Sequence, residues 1–114
     1  MIAVIFEVEP AEGQREVYHA MAAKMHPLAE ASPGFLSVER FQSLTDPGRL
    51  LSVSSFEDEA ALDRWRRLHE HRRAQAAGRG GIFAGYRLRV ARVPRDYGMA
   101  KRAEAPEDSR ALHG

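Results

Sequence analysis

Most of the side chains capable of chemistry crowd into one short stretch: Trp65, then His69, Glu70 and His71 in a row, arginines at 64, 66, 67, 72 and 73, and Gln75. On a helix, neighbouring residues point about 100° apart, so three consecutive residues cannot converge on one ion as the histidines of a His-Glu-x-x-His helix do. No metal site is expected from this cluster. His69 and His71 stand four and six residues after Trp65 and point to different sides. A histidine lining a pocket can act as a general base near neutral pH, whereas one on the outside is a surface histidine. Trp65 shares its side of the helix with Ala61, Leu62 and Leu68. It is either a core anchor between helix and sheet, or an indole at a cavity beside an aromatic ligand. The arginines of the stretch mostly make a solvated helix face. Arg87 and Arg89 share one strand face, placed to pair with Glu7 or Glu39 across a sheet or a dimer.

The elements that must position these groups can be read from periodicity. Ile2, Val4, Phe6 and Val8 alternate with Ala3, Ile5 and Glu7, a strand partly covered on both faces. Pro10 suits the first turn of a helix, in which Val17, Met21, Met25 and Leu28 recur on one face. Pro27 is expected to kink or end that helix around 25–27, and Ser32-Pro33-Gly34 closes the segment. Phe35 to Leu44 and Leu50 to Phe56 are two strands joined through Thr45-Asp46-Pro47-Gly48, an antiparallel hairpin. Ser55, three residues before Asp58, forms a variant capping box for a long helix from about Glu57 to Ala77. Gly78, Gly80 and Gly81 end it. Residues 82–93 are the last strand, with Phe83 entering and Tyr86, Leu88 and Val90 alternating against Arg87, Arg89 and Ala91.

The order βαββαβ predicts an α+β, ferredoxin-like fold: a four-stranded antiparallel sheet with two helices on one face. Strands one, two and four carry apolar or large side chains on both faces. The face without helices is therefore expected to meet a second subunit, making a homodimer through sheet faces. The folded domain spans 1–99. Residues 100–114 form a polar, flexible tail, disordered from Ala103 onward, with Tyr97 and Met99 expected to dock on the partner.

Composition narrows the classes. The chain has 114 residues and no cysteine, which fits one domain and excludes disulfide scaffolds, zinc fingers and thiol nucleophiles. The N-terminal apolar run is too short for a signal peptide, and nothing reaches membrane-spanning length. A soluble, cytoplasmic domain with no membrane partner is expected. Residues 1–63 hold 4 basic and 11 acidic side chains, whereas 64–102 hold 12 and 2. The acidic half would repel phosphates, so nucleic-acid coating is disfavoured and attraction between halves of a dimer explains the split better. An RNA-recognition reading of the same βαββαβ order fails, because the third strand has no aromatic before Phe56 on which bases could stack. The glycines at 78–81 follow a helix and precede a strand, the reverse of a phosphate loop.

With that order in place, the runs Phe56-Glu57-Asp58-Glu59-Ala60-Ala61, Trp65-Arg66 and Glu70-His71-Arg72-Arg73-Ala74-Gln75 resemble the antibiotic biosynthesis monooxygenase family. So do Tyr86-Arg87-Leu88-Arg89-Val90-Ala91 and Arg95-Asp96-Tyr97-Gly98. The resemblance covers about residues 1–99 and implies a dimeric α+β barrel with one pocket per subunit between helices and sheet. Some members oxygenate anthrone- or quinol-like aromatics with molecular oxygen and neither metal nor flavin. The protein need then only bind the substrate, deprotonate it and exclude water. Carried onto this chain, the resemblance implies His71, Trp65 and Tyr86 as catalytic residues. Gln75, Glu7, Arg72 and Phe83 would contact the substrate, a small aromatic molecule, with no cofactor. Other relatives degrade haem, using a first-strand asparagine and a histidine ten residues after the tryptophan. Here those positions are near Glu7 and at Gln75, and glutamine is a poor iron ligand, so haem is disfavoured. The expected function is a cofactor-independent monooxygenase. The alternatives are a non-catalytic protein binding a small hydrophobic ligand, and, less favoured, a haem-binding oxygenase.

Overall fold

The computed structural model describes residues 1–68, 73, 76 and 78–113. Strand β1 (Ile2–Pro10) is central. It lies between β3 (Leu50–Phe56) and β4 (Phe83–Arg92), and β2 (Phe35–Gln42) pairs with the far side of β3. All three pairings are antiparallel. Helix α1 (Arg15–Glu30) joins β1 to β2, and α2 (Glu59–Arg66) follows β3. This is the ferredoxin-like α+β arrangement that the βαββαβ order predicts.

The register decides which side chains share a face, because alternate residues of a strand point to opposite sides. Val4 stands beside Ser54 and Val90, and Ser54 beside Val38. The next row runs Arg40, Ser52, Phe6, Leu88, and the one after it Gln42, Leu50, Val8, Tyr86. These rows face the helices. On that face Ile2, Val4, Phe56, Ala29, Ala61, Leu62 and Trp65 form one buried cluster. Val8, Tyr18 and Leu50 form a second, with Phe6, Met21, Ile82 and Phe83 packed against it.

The hairpin turn has the chemistry its residues suggest. The Asp46 carboxylate accepts from Gly48 N at 3.1 Å, and Ser43 Oγ accepts from the backbone of Thr45 and Asp46. Gly34, at φ 87°, accepts through its carbonyl from Glu57 N at 2.8 Å and brings the α1–β2 turn against α2.

Several local expectations change. Helix α1 packs Met21, Met25 and Leu28 of the predicted stripe against the core, but it buries Tyr18, Ala22 and Ala29 more deeply and leaves Val17 45% exposed, so Tyr18 replaces Val17 at the start of the inner face. Both stripes satisfy the helical period, and the larger Tyr18 side chain takes the inner place. Pro27 does not end the helix, which runs on to Glu30. Its missing N–H forfeits one bond, while Leu28 and Ala29 beyond it pack against the core. Pro10 closes β1 instead of opening a helix, at a register shift where a residue without an N–H interrupts no ladder bond. Asp58, not Ser55, caps α2: Ser55 lies within β3, and the Asp58 carboxylate accepts from Ala61 N at 2.8 Å. Helix α2 is Glu59–Arg66, capped at Arg67, where one helix over 57–77 is predicted; residues 69–72, 74, 75 and 77 of that span lie outside the described residues.

Where the composition predicts no regular structure after Ala103, the chain forms helix α3 (Glu107–His113). The segment folds on itself: Arg102 donates to Gly98 O and Ser109 Oγ and lies over the Tyr97 ring, and Ala105 is buried. Met99 and Leu112 stay open to solvent.

Candidate functional site

The helix-facing rows of the sheet and the inner faces of α1 and α2 do not close completely. They enclose a cavity of about 600 Å³, within the size range of small-molecule sites. Its wall from α1 consists of Tyr18, Met21, Ala22, Met25, His26 and Ala29, and Leu62, Trp65 and Arg66 come from α2.

One end is aromatic. Phe83 and Tyr86 on β4 stand 6.0 Å apart between ring centres, and Phe6 lies 5.8 Å from each. Tyr18 meets Phe83 edge-on at 5.8 Å. Such tilted contacts suit ring quadrupoles and make an apolar wall. Leu88 and Val90 continue that wall along β4. The opposite end, on β2 and β3, is polar, with Arg40, Ser52 and Ser54. There the Arg40 guanidinium hydrogen-bonds the phenolic oxygen of Tyr18 and donates through Nη2 to Ala22 O at 3.3 Å. Tyr18 is only 4% exposed, and its burial raises the phenol pKa above the ordinary value, with the nearby Arg40 charge pulling the other way. It is therefore a neutral hydroxyl at physiological pH. His26 also lines the cavity, its Nε2 2.6 Å from Glu30 Oε1.

Of the residues singled out from the sequence, Trp65, Phe83 and Tyr86 come together around this cavity. Trp65 is buried in the core cluster and also lines the cavity, so it anchors the core and stands at the cavity wall. Glu7 is not brought to the site. Alternation puts it on the opposite face from Phe6, where its Oε1 takes a bond from Arg89 Nη1 at 3.2 Å. This is the cross-strand ion pair expected of Arg89. His71, Arg72 and Gln75 lie outside the described residues. Among the described residues, no three histidine, aspartate or glutamate side chains gather as a metal ion would require. No helix described is long and apolar enough to cross a membrane.

Arg40, Tyr18 and the two serines escaped the sequence reading. The available signal was phase: Arg40 lies two residues from Val38, on the covered side of β2, and not with Glu39 on the other.

Comparison with known proteins agrees with this architecture. The family model described as antibiotic biosynthesis monooxygenase matches residues 1–77. A protein named jasmonate monooxygenase from the fungus Pyricularia oryzae is 41% identical over 93 residues, 82% of this chain. The match covers 43% of the fungal protein, so this chain corresponds to less than half of it. The uncharacterized protein YqjZ of Bacillus subtilis is 37% identical over 82% of this chain and 79% of its own length. Among solved structures, Rv0793 of Mycobacterium tuberculosis superposes with a TM-score of 0.77 at 20% identity, covering 85% of this chain and 98% of that one. SnoaB of Streptomyces nogalater, described as a cofactor-independent oxygenase, superposes at 0.73 with 10% identity, covering 83% and 94%. These two share the fold. The family match, which spans residues 1–77 and so more than half of the sequence, establishes that this chain belongs to the antibiotic biosynthesis monooxygenase family.

Proposed function

We propose that the protein is a monooxygenase that uses molecular oxygen, without metal or flavin, on a quinol- or anthrone-type small molecule held in the cavity. The observation that carries this reading is the cavity itself, with Trp65, Phe83 and Tyr86 on its walls. The activities named for the fungal relative and for SnoaB support it. A substrate with an acidic C–H or O–H is bound against the aromatic wall and loses a proton to a base, for which His71 is the candidate. The resulting anion passes an electron to oxygen, and a carbon–oxygen bond forms. The peroxide then loses water, so that a CH₂ group and O₂ give a carbonyl and H₂O. The chain supplies an apolar pocket, a proton acceptor and hydrogen bonds to the oxyanion, with Tyr86 the candidate for the last of these. Arg72, Gln75 and Phe83 complete the substrate contacts.

The working unit in this reading is a cytoplasmic homodimer joined through the helix-free sheet faces. That face carries Ile5, Leu51 and Val53, with Phe41 45% exposed, a larger apolar surface than a lone sheet needs.

The test is oxygen uptake by metal-free protein with a panel of anthrones and quinols, wild type beside Trp65→Phe. Uptake above the buffer rate, reduced in the variant, is the expected result. Saturable binding of the same compounds without uptake would favour a binding protein. A Soret shift on haem titration would favour the haem-binding alternative.

A further inference from the structure

The two ends of the cavity differ in chemistry, and the difference specifies a ligand. Its described lining includes three basic side chains, His26, Arg40 and Arg66, and no carboxylate. His26 is partnered by Glu30, just outside the lining, at 2.6 Å. Among the described residues, no carboxylate pairs with Arg40. Its bonds go instead to a neutral phenol and a backbone carbonyl. A guanidinium has five N–H donors, so these two acceptors leave donors over. Ser52 stands directly beside Arg40 on β3, and Ser54 is one step along the same face. On the far side of the sheet, the same rows end in Leu88 and Val90, flanked by Phe6, Phe83 and Tyr86. With strands about 4.8 Å apart, the distance from β2 to β4 is about 14 Å.

Resting on the cofactor-free reading above, we propose that the ligand is an amphiphilic acid, with its anionic group at Arg40 and Tyr18 and its apolar body along β1 and β4. Arg40 supplies charge and a forked pair of donors, and Tyr18 supplies a hydroxyl that burial keeps protonated. Arg40 is the specificity residue: an ester or amide of the same skeleton offers it no charge. Orientation follows from the same polarity. The carbon to be oxygenated sits away from the anion, against the aromatic wall of Phe6, Phe83 and Tyr86, so the acid head steers the molecule and takes no part in the electron transfer.

Trp65 is the chain's only tryptophan and its indole lines the cavity, so its fluorescence reports occupancy directly. The probes are 5-phenylvalerate and its methyl ester, titrated at pH 7.5 into wild type, Arg40→Gln, Arg40→Lys and Tyr18→Phe. Wild type should bind the acid at least about tenfold more tightly than the ester, the range of a charge-assisted hydrogen bond. In Arg40→Gln the ratio should fall to near one, and Arg40→Lys should restore part of it. Tyr18→Phe should reduce the ratio less than Arg40→Gln does. Circular dichroism confirms that each variant is folded. Equal binding of acid and ester by wild type, or a preference that survives in folded Arg40→Gln, overturns the anion site and leaves the cavity reading standing. Binding of neither probe overturns the cavity reading, and the anion site with it.

Discussion

Gly34 approaches Ala61 so closely that a methyl group on Gly34 would collide with the Ala61 side chain. Its φ of 87° is also one that side chains disfavour. The α1–β2 turn thus docks on α2 through the absence of one carbon. Gly34→Ala should lower stability by about 2–4 kcal/mol, combining backbone strain with overpacking. The midpoint of urea unfolding measures it, and an unchanged midpoint would mean that α2 gives way freely.

Trp65 serves packing and cavity together, and the two must be separated before any activity loss is interpreted. Complete truncation in Trp65→Ala should cost about 3–5 kcal/mol, because the ring is only 9% exposed. Trp65→Phe keeps an aromatic plate and should melt much nearer to wild type. If thermal melts show the alanine variant as stable as wild type, the indole is not a core anchor.

The Tyr18 phenol ionises less readily in the folded chain than in the unfolded one, because burial opposes the charge. Below the ordinary tyrosine value near 10, both states hold the proton and the contribution to stability is constant. Above it the unfolded chain releases its proton first, so stability falls with rising pH until the folded phenol titrates too. Tyr18→Phe should therefore show a shallower loss of stability above pH 10. Parallel melting curves from pH 9 to 11 for the two proteins would contradict this.

The segment after β4 folds on itself and still presents Tyr97, Met99 and Leu112 to solvent, with Met99 98% exposed. If these side chains dock on a partner subunit, deleting residues 94–114 should weaken self-association by tenfold or more. Sedimentation over a concentration series reads the dissociation constant. An unchanged constant would assign the segment some other role.

How much of this was legible depends on how many constraints met at a residue. Strict alternation in β1 and the Asp-Pro-Gly turn between β2 and β3 each admit one local structure, and the sheet follows from them. In α1 the stripes through Val17 and Tyr18 fit the helical period equally well, and only the sheet beneath chooses between them. Alternation already opposed Glu7 as a site residue, since Phe6 and Val8 beside it face the helices; family resemblance alone had put it there. Arg40 went unnoticed because an isolated arginine on a strand reads as solvated, and Arg40 is indeed exposed even though it borders the cavity. Its companions Tyr18 and Ser52 are distant in sequence and meet it only across folded elements. Pro27 shows the reverse limit, a strong local signal overridden by the packing of the residues after it.

The central position of β1 has a consequence for how the molecule is made. Its neighbour β4 comes some eighty positions later: Ile5 pairs with Arg89, and Glu7 bonds Arg89. Until Phe83–Arg92 has left the ribosome, one edge of the central strand has no ladder, and the aromatic wall does not exist. Such distant closure is slow compared with hairpin formation. The β2–β3 hairpin can form during synthesis, but the cavity can form only after β4 is made. A nascent chain stalled before Phe83 would expose Phe6 and the bare edge of β1, so it is this intermediate that a chaperone would need to shield.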